Sequence, residues 1–175
     1  MGNSPSRFKG ENLPVEKVSW NDVQKFIEKL NKKTGKNYRL LTEAEWEFAA
    51  RGGTESKGFN YSGSDKLEEV GWYDGNSKSK THPVGELESN ELGIYDMSGN
   101  VLEWCSDWYD DYKNESQTDP QGAKTGSFRV LRGGSWSLNA QLCRVSYRYN
   151  ISPDFSYNLI GFRLAHSSSG ASSQS

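Results

Sequence analysis

Tyr38-Arg39-Leu40-Leu41-Thr42-Glu43-Ala44-Glu45-Trp46-Glu47 runs a strand straight into a helix. Tyr38 to Leu41 is a short aromatic and aliphatic run. Thr42, with Glu45 three residues on, forms a capping box. Trp46, Phe48 and Ala49 continue the helix until Gly52-Gly53 stops it. Upstream, Ser19 is a good N-cap, and Asp22 places a carboxylate where a helix N-terminus favours one. Val23, Phe26, Ile27 and Leu30 then follow at i, i+3, i+4 and i+7, which predicts one buried stripe, and Gly35 ends that helix. Past Gly53 no helical period persists. Residues 53–92 read as a long loop region, and short strands return at 129–132 and 160–164, with loose alternation over 143–149. The expected class is α+β: two helices, then long loops and short antiparallel strands. One domain over 1–166 accounts for the pattern, and 167–175 (SSSGASSQS) reads as a flexible tail.

The 175 residues suffice for one buried core. No apolar run approaches the roughly 20 residues of a membrane helix, so no membrane contact by this chain itself is expected. Residues 1–11 are polar and lack the apolar stretch of a secretory signal. A net charge of -2 argues against nucleic acid as a partner. Two Cys are too few for a disulfide scaffold, and His82 and His166 stand apart from any ligand at zinc spacing. Aromatics reach 13%, with 6 Trp and 9 Tyr, and Gly reaches 18. That mixture predicts irregular segments pinned by large aromatic anchors.

Several acidic groups invite a chemical reading. Glu43, Glu45 and Glu47 sit at or near a helix start, and the macrodipole explains the first two. Asp107, Asp110 and Asp111, among Trp108, Tyr109 and Tyr112, read as a solvated loop. Asp96 and Glu103 bracket a turn containing Gly99. With carbonyls at Gly99 and Val101 they offer hard oxygen ligands for calcium. The alternative is a turn held by Asn100, with Glu103 paired to an Arg. Gly133-Gly134-Ser135 lacks the order of a nucleophile elbow and suits a tight backbone approach. The last Lys is Lys124 and the last Glu is Glu115. Residues 137–159 hold Ser, Asn, Tyr, Leu, Ile and Phe instead.

Five ordered strings carry a resemblance. They are Leu13-Pro14-Val15 with Val18-Ser19-Trp20, the Tyr38–Glu47 stretch, Gly99-Asn100-Val101-Leu102-Glu103-Trp104, Leu131-Arg132-Gly133-Gly134-Ser135-Trp136, and Ile160-Gly161-Phe162-Arg163. Together they resemble the formylglycine-generating enzyme (sulfatase-modifying factor) family, over about residues 8–165. The resemblance implies a loop-rich variant of the C-type lectin fold. Catalytic members are copper oxidases with a Cys pair between the last two motifs, and soft thiolates suit copper(I). This chain has only Cys143 there, so the resemblance implies neither copper nor enzymatic activity; an oxidase domain acting on a protein cysteine is the alternative. The family's second calcium site maps onto Asp96, Gly99, Val101 and Glu103, implying a structural calcium ion.

Within that family the chain is most similar to variable proteins of diversity-generating retroelements. In these, template adenines are replaced at random before the C-terminal segment is rewritten, and randomised AAC codons cannot yield Lys, Glu, Gln, Met or Trp. Residues 137–159 obey this except at Gln141, which falls in a stretch read as constant. The resemblance therefore implies a display protein at a bacterial cell surface, binding a macromolecule, most simply a protein. The diversified positions are Ser137, Leu138, Leu142, Ser146, Tyr147, Tyr149, Ile151, Ser152, Phe155, Ser156, Tyr157 and Leu159. Tyr and Ser also suit a paratope: Tyr gives rigid amphipathic area and Ser adapts.

Overall fold

The computed structural model describes residues 4–112 and 114–166, so the expected tail at 167–175 lies outside the described residues. Helix α1 spans Trp20–Thr34 and helix α2 spans Glu43–Ala50, each opened by a complete capping box, at Ser19/Asp22 and Thr42/Glu45. Gly35 closes α1 in the left-handed region. Strand β1 is Tyr38–Leu40. A one-turn helix α3 covers Leu67–Val70 within the long loop region. The later strands are β2 (Leu102–Trp108), β3 (Arg129–Arg132), β4 (Arg148–Ile151), β5 (Ile160–Gly161) and β6 (Leu164–His166).

Four strands form a sheet in the order β4-β3-β2-β5, and β1 pairs with β6 as a separate two-stranded ribbon. The sheet is layered between the two long helices. On one face Leu102 and Trp104 of β2, Leu131 of β3 and Ile160 of β5 pack with Val18, Val23 and Ile27 of the α1 region. On the other, Cys105 of β2 and Val130 of β3 pack with Trp46 and Ala50 of α2. Alternate residues of one strand point to opposite faces, so β2 serves both halves of the core. Four of the six indoles bind chain far away in sequence. Trp20 donates to the Cys105 carbonyl (2.9 Å), Trp46 to Glu103 (2.7 Å), Trp104 to the Val18 carbonyl (3.0 Å) and Trp136 to the Asn158 carbonyl (3.0 Å). These are the aromatic anchors that the composition leads one to expect.

Several expectations are corrected. The central strand β2 is absent from the sequence reading, because both of its faces are covered and its residues show no alternation. Asp107 belongs to this strand and is buried, whereas a solvated loop is expected there. The strands are not all antiparallel: β2 and β5 pair in parallel, Leu102 with Ile160 and Glu103 with Gly161. Of the α1 stripe, Val23 and Ile27 are buried, while Phe26 is 37% exposed. Single 3-10 turns occur at Gly53–Glu55 and Ala140–Cys143, so the loose alternation over 143–149 resolves into a turn followed by an edge strand. The 160–164 run divides into β5 and β6, since Arg163 turns aside to reach Glu103. No described helix is long and apolar enough to cross a membrane.

Candidate functional site

The 137–159 segment is tied down through its backbone. The Leu138 carbonyl accepts from the Asp74 N–H (3.1 Å), and the Val145 N–H donates to the Asn60 carbonyl (3.0 Å). β4 pairs with β3 from Arg148 to Ile151, and Tyr157 accepts from the Lys17 N–H (3.1 Å). Asn21 donates to the Asp154 carboxylate. Apart from the Asp154 bond, at a position outside the twelve candidates, these contacts hold a path while making no demand on the side chains.

Side-chain burial follows the same division. The buried residues of the segment are Cys143, Val145 and Asn158. None of the twelve candidate ligand positions is buried. Ser137, Ser146, Tyr149, Phe155, Ser156 and Tyr157 are exposed, and Leu138, Leu142, Tyr147, Ile151, Ser152 and Leu159 are half-buried. Phe155 and Tyr157 lie side by side, their ring centroids 6.2 Å apart. Leu138, Ile151 and Leu159 pack against the core on the α1 side, so these three also carry structural contacts.

Arg148, within the segment, makes a two-pronged pair with Glu43 (2.6 and 2.7 Å) and lies over the rings of Tyr109 and Tyr112. Fully buried Arg132 binds Glu47 and the carbonyls of Val145 and Tyr147. Glu43 and Glu47 therefore act as structural counter-charges for two arginines. That role was hidden in the sequence, where the partners stand 85 and 105 residues away.

Asp96 and Glu103 line one cavity together with Arg163. Glu103 has both oxygens committed: Oε1 and Oε2 accept from Arg163 (2.7 Å each), and Oε2 also accepts from the Trp46 indole. Asp96 accepts from the Gly85 N–H (2.8 Å). Burial holds its carboxyl above the usual range, against the Gly85 bond and the Arg163 charge. The turn itself is held by Asn100, which exchanges two hydrogen bonds with the His82 backbone and donates its own N–H to the Trp72 carbonyl. At Gly99, with φ of 82°, a Cβ would lie 2.3 Å from that same carbonyl, so only glycine fits. Glu103 is thus paired with a guanidinium, as in the alternative reading of this turn, while Asp96 accepts a single backbone hydrogen bond. Among the described residues, no cluster of three or more His, Cys, Asp or Glu is placed to hold a metal.

Both thiols are free and fully buried. Burial raises Cys105 well above the ordinary thiol range and pushes Cys143 up to about 12. Gly134 packs so closely that its Cβ would meet the Cys143 sulfur at 2.5 Å. Neither thiol has the lowered pKa and access of a reactive cysteine.

Comparison with known proteins agrees with this geometry. The chain is 34% identical over 197 residues to the chaperone protein LppX of Paenibacillus barcinonensis, across 84% of this chain and 67% of that one. It is 39% identical over 174 residues to the formylglycine-generating enzyme of Streptomyces coelicolor, across 89% of this chain and 53% of that one. It thus spans from about half to two thirds of these relatives. Among solved structures, Treponema denticola variable protein 1 superposes with a TM-score of 0.87 at 36% identity, over 94% of this chain and 77% of that one. PvdO from Pseudomonas aeruginosa superposes at 0.78 with 34% identity, over 91% and 64%. Residues 2–168 match the sulfatase-modifying factor enzyme 1-like domain, and the chain belongs to that family.

Proposed function

We propose that the chain is a binding protein in which a C-type lectin-like scaffold displays residues 137–159, diversified by a retroelement, to a macromolecular ligand. The observation that carries this reading is the division of burial within the segment. Its buried residues, Cys143, Val145 and Asn158, all fall outside the twelve positions assigned to diversity. A close-packed interior does not tolerate arbitrary volumes, so a site of random replacement must lie off it. The likeness to Treponema denticola variable protein 1 supports the same reading. The displayed residues are uncharged, and the exposed aromatics Tyr149, Phe155 and Tyr157 supply anchors of the kind that dominate protein interfaces.

The test is a library with the twelve codons randomised together. Most members are expected to express as folded monomers, melting below the parent only to the extent that Leu138, Ile151 and Leu159 lose their core contacts. A library that mostly aggregates would place these residues in the core and end the proposal. Sequencing beside the coding region provides a second test: a near-identical repeat differing at adenines, next to a reverse transcriptase, is expected. The identity to formylglycine-generating enzymes supports a rival reading as an oxidase acting on a protein cysteine. Against it stand the single Cys in the relevant segment and the burial of both thiols.

A further inference from the structure

A second recess lies away from the 137–159 segment, along the outer side of α1. It has a volume of about 830 Å³, within the range of small-molecule sites, and none of the twelve candidate positions lines it. Its apolar lining includes buried Val18 and Val23, with Phe26 and Phe162 in edge contact at 5.6 Å and Val15, which is 46% exposed. Its charged lining consists of Asp22 at one end and then Lys25, Lys29 and Lys33. Asp22 is already satisfied by Ser19 within the helix cap. The three lysines are exposed, and none forms an ion pair among the described residues.

The lysine row calls for an explanation. Lysines spaced i, i+4 and i+8 stand one above another and repel. The helix dipole accounts for a cation in the last turn, as at Lys33, and the charge of Asp22 attracts Lys25, but neither accounts for Lys29. The row spans about 12 Å along the apolar recess at 1.5 Å per residue. An apolar slot with cations along one side complements a ligand with an apolar chain and an anionic head.

We infer that this recess binds a single-chain anionic amphiphile, such as a medium- or long-chain carboxylate. The chain lies against Val18, Val23, Phe26 and Phe162, and the head group is held by Lys25, Lys29 and Lys33. A free amphiphile fits better than a bilayer surface, because the apolar side chains line a concavity floored by buried Val18 and Val23.

The test is calorimetric titration of the whole chain with laurate, below its micelle concentration. Saturable binding at one site is expected. The triple variant Lys25→Gln/Lys29→Gln/Lys33→Gln changes exposed residues alone and is expected to weaken binding at least tenfold with an unchanged melting curve. Phe26→Ser is expected to weaken it by a similar factor, and dodecanol is expected to bind at least tenfold more weakly than laurate. The proposal is overturned if laurate does not bind, if the triple variant binds as well as the parent, or if dodecyltrimethylammonium binds as tightly as laurate. It is equally overturned if the chain binds phosphatidylglycerol vesicles but not free laurate.

Discussion

Asp107 shows how one buried carboxylate sets a pH dependence. Its Oδ2 accepts from the Glu43 N–H (2.9 Å) and the Ser106 hydroxyl (3.0 Å), and burial raises its pKa above 3.8, reinforced by the charge of Glu43. The folded state therefore holds this proton more tightly than the unfolded chain does. Stability from this group is present below pH 3.8 and is lost as pH rises through the raised folded value. Asp22 and Glu45 are lowered, by hydrogen bonds from Ser19 and Arg39 respectively, and act in the opposite sense. Asp107→Asn keeps both hydrogen bonds through the amide oxygen. Its urea midpoint is expected to rise relative to wild type between pH 3.5 and 7, a difference that would vanish at lower pH; a flat difference would refute the assignment. Arg132→Met should cost about 3–5 kcal/mol, because it removes the buried partner of Glu47 Oε2 and the donor to the Val145 and Tyr147 carbonyls. Chemical denaturation of the variant checks this.

Strand β4 and the loops around it divide the candidate positions into two kinds. Tyr149, Phe155 and Tyr157 are all at least 43% exposed, so replacing each by Ser should change stability by no more than about 0.5 kcal/mol. Leu138, Ile151 and Leu159 touch the core, and each should cost between about 0.5 and 2 kcal/mol, short of full burial. Trp104→Ala, on the central strand, should cost about 3–5 kcal/mol. Urea midpoints of the seven variants would show the three classes. Losses above about 2 kcal/mol at the exposed aromatics would mean that the element is core and not display surface. The capping boxes and Gly35 were legible at this scale, because each depends on residues within four positions. β2 was not, since a strand covered on both faces has no alternation to read.

For the whole molecule, the pairing of Glu103 with Arg163 predicts a melting temperature unchanged by chelation. A fall of several degrees on adding a chelator, abolished by Asp96→Ala/Glu103→Ala, would establish calcium as a ligand there. The binding reading likewise predicts no aldehyde on a Cys-containing sulfatase-motif peptide incubated with copper and oxygen. Aldehyde formation lost on Cys143→Ser would establish the oxidase. The two helices and their caps, the α+β class, the family through its ordered motifs, and the absence of Lys and Glu from 137–159 are readable from residue order alone. These are local patterns or ordered strings, and they need no knowledge of what lies across the fold. Only the tertiary structure decided that β2 is central, that β5 joins it in parallel, and that Glu103 is matched by Arg163, 60 residues away. It also separated the displayed aromatics from the apolar residues that lean on the core. Leu and Phe carry the same apolar surface in either place, and which of it leaves water depends on the chain packed against it.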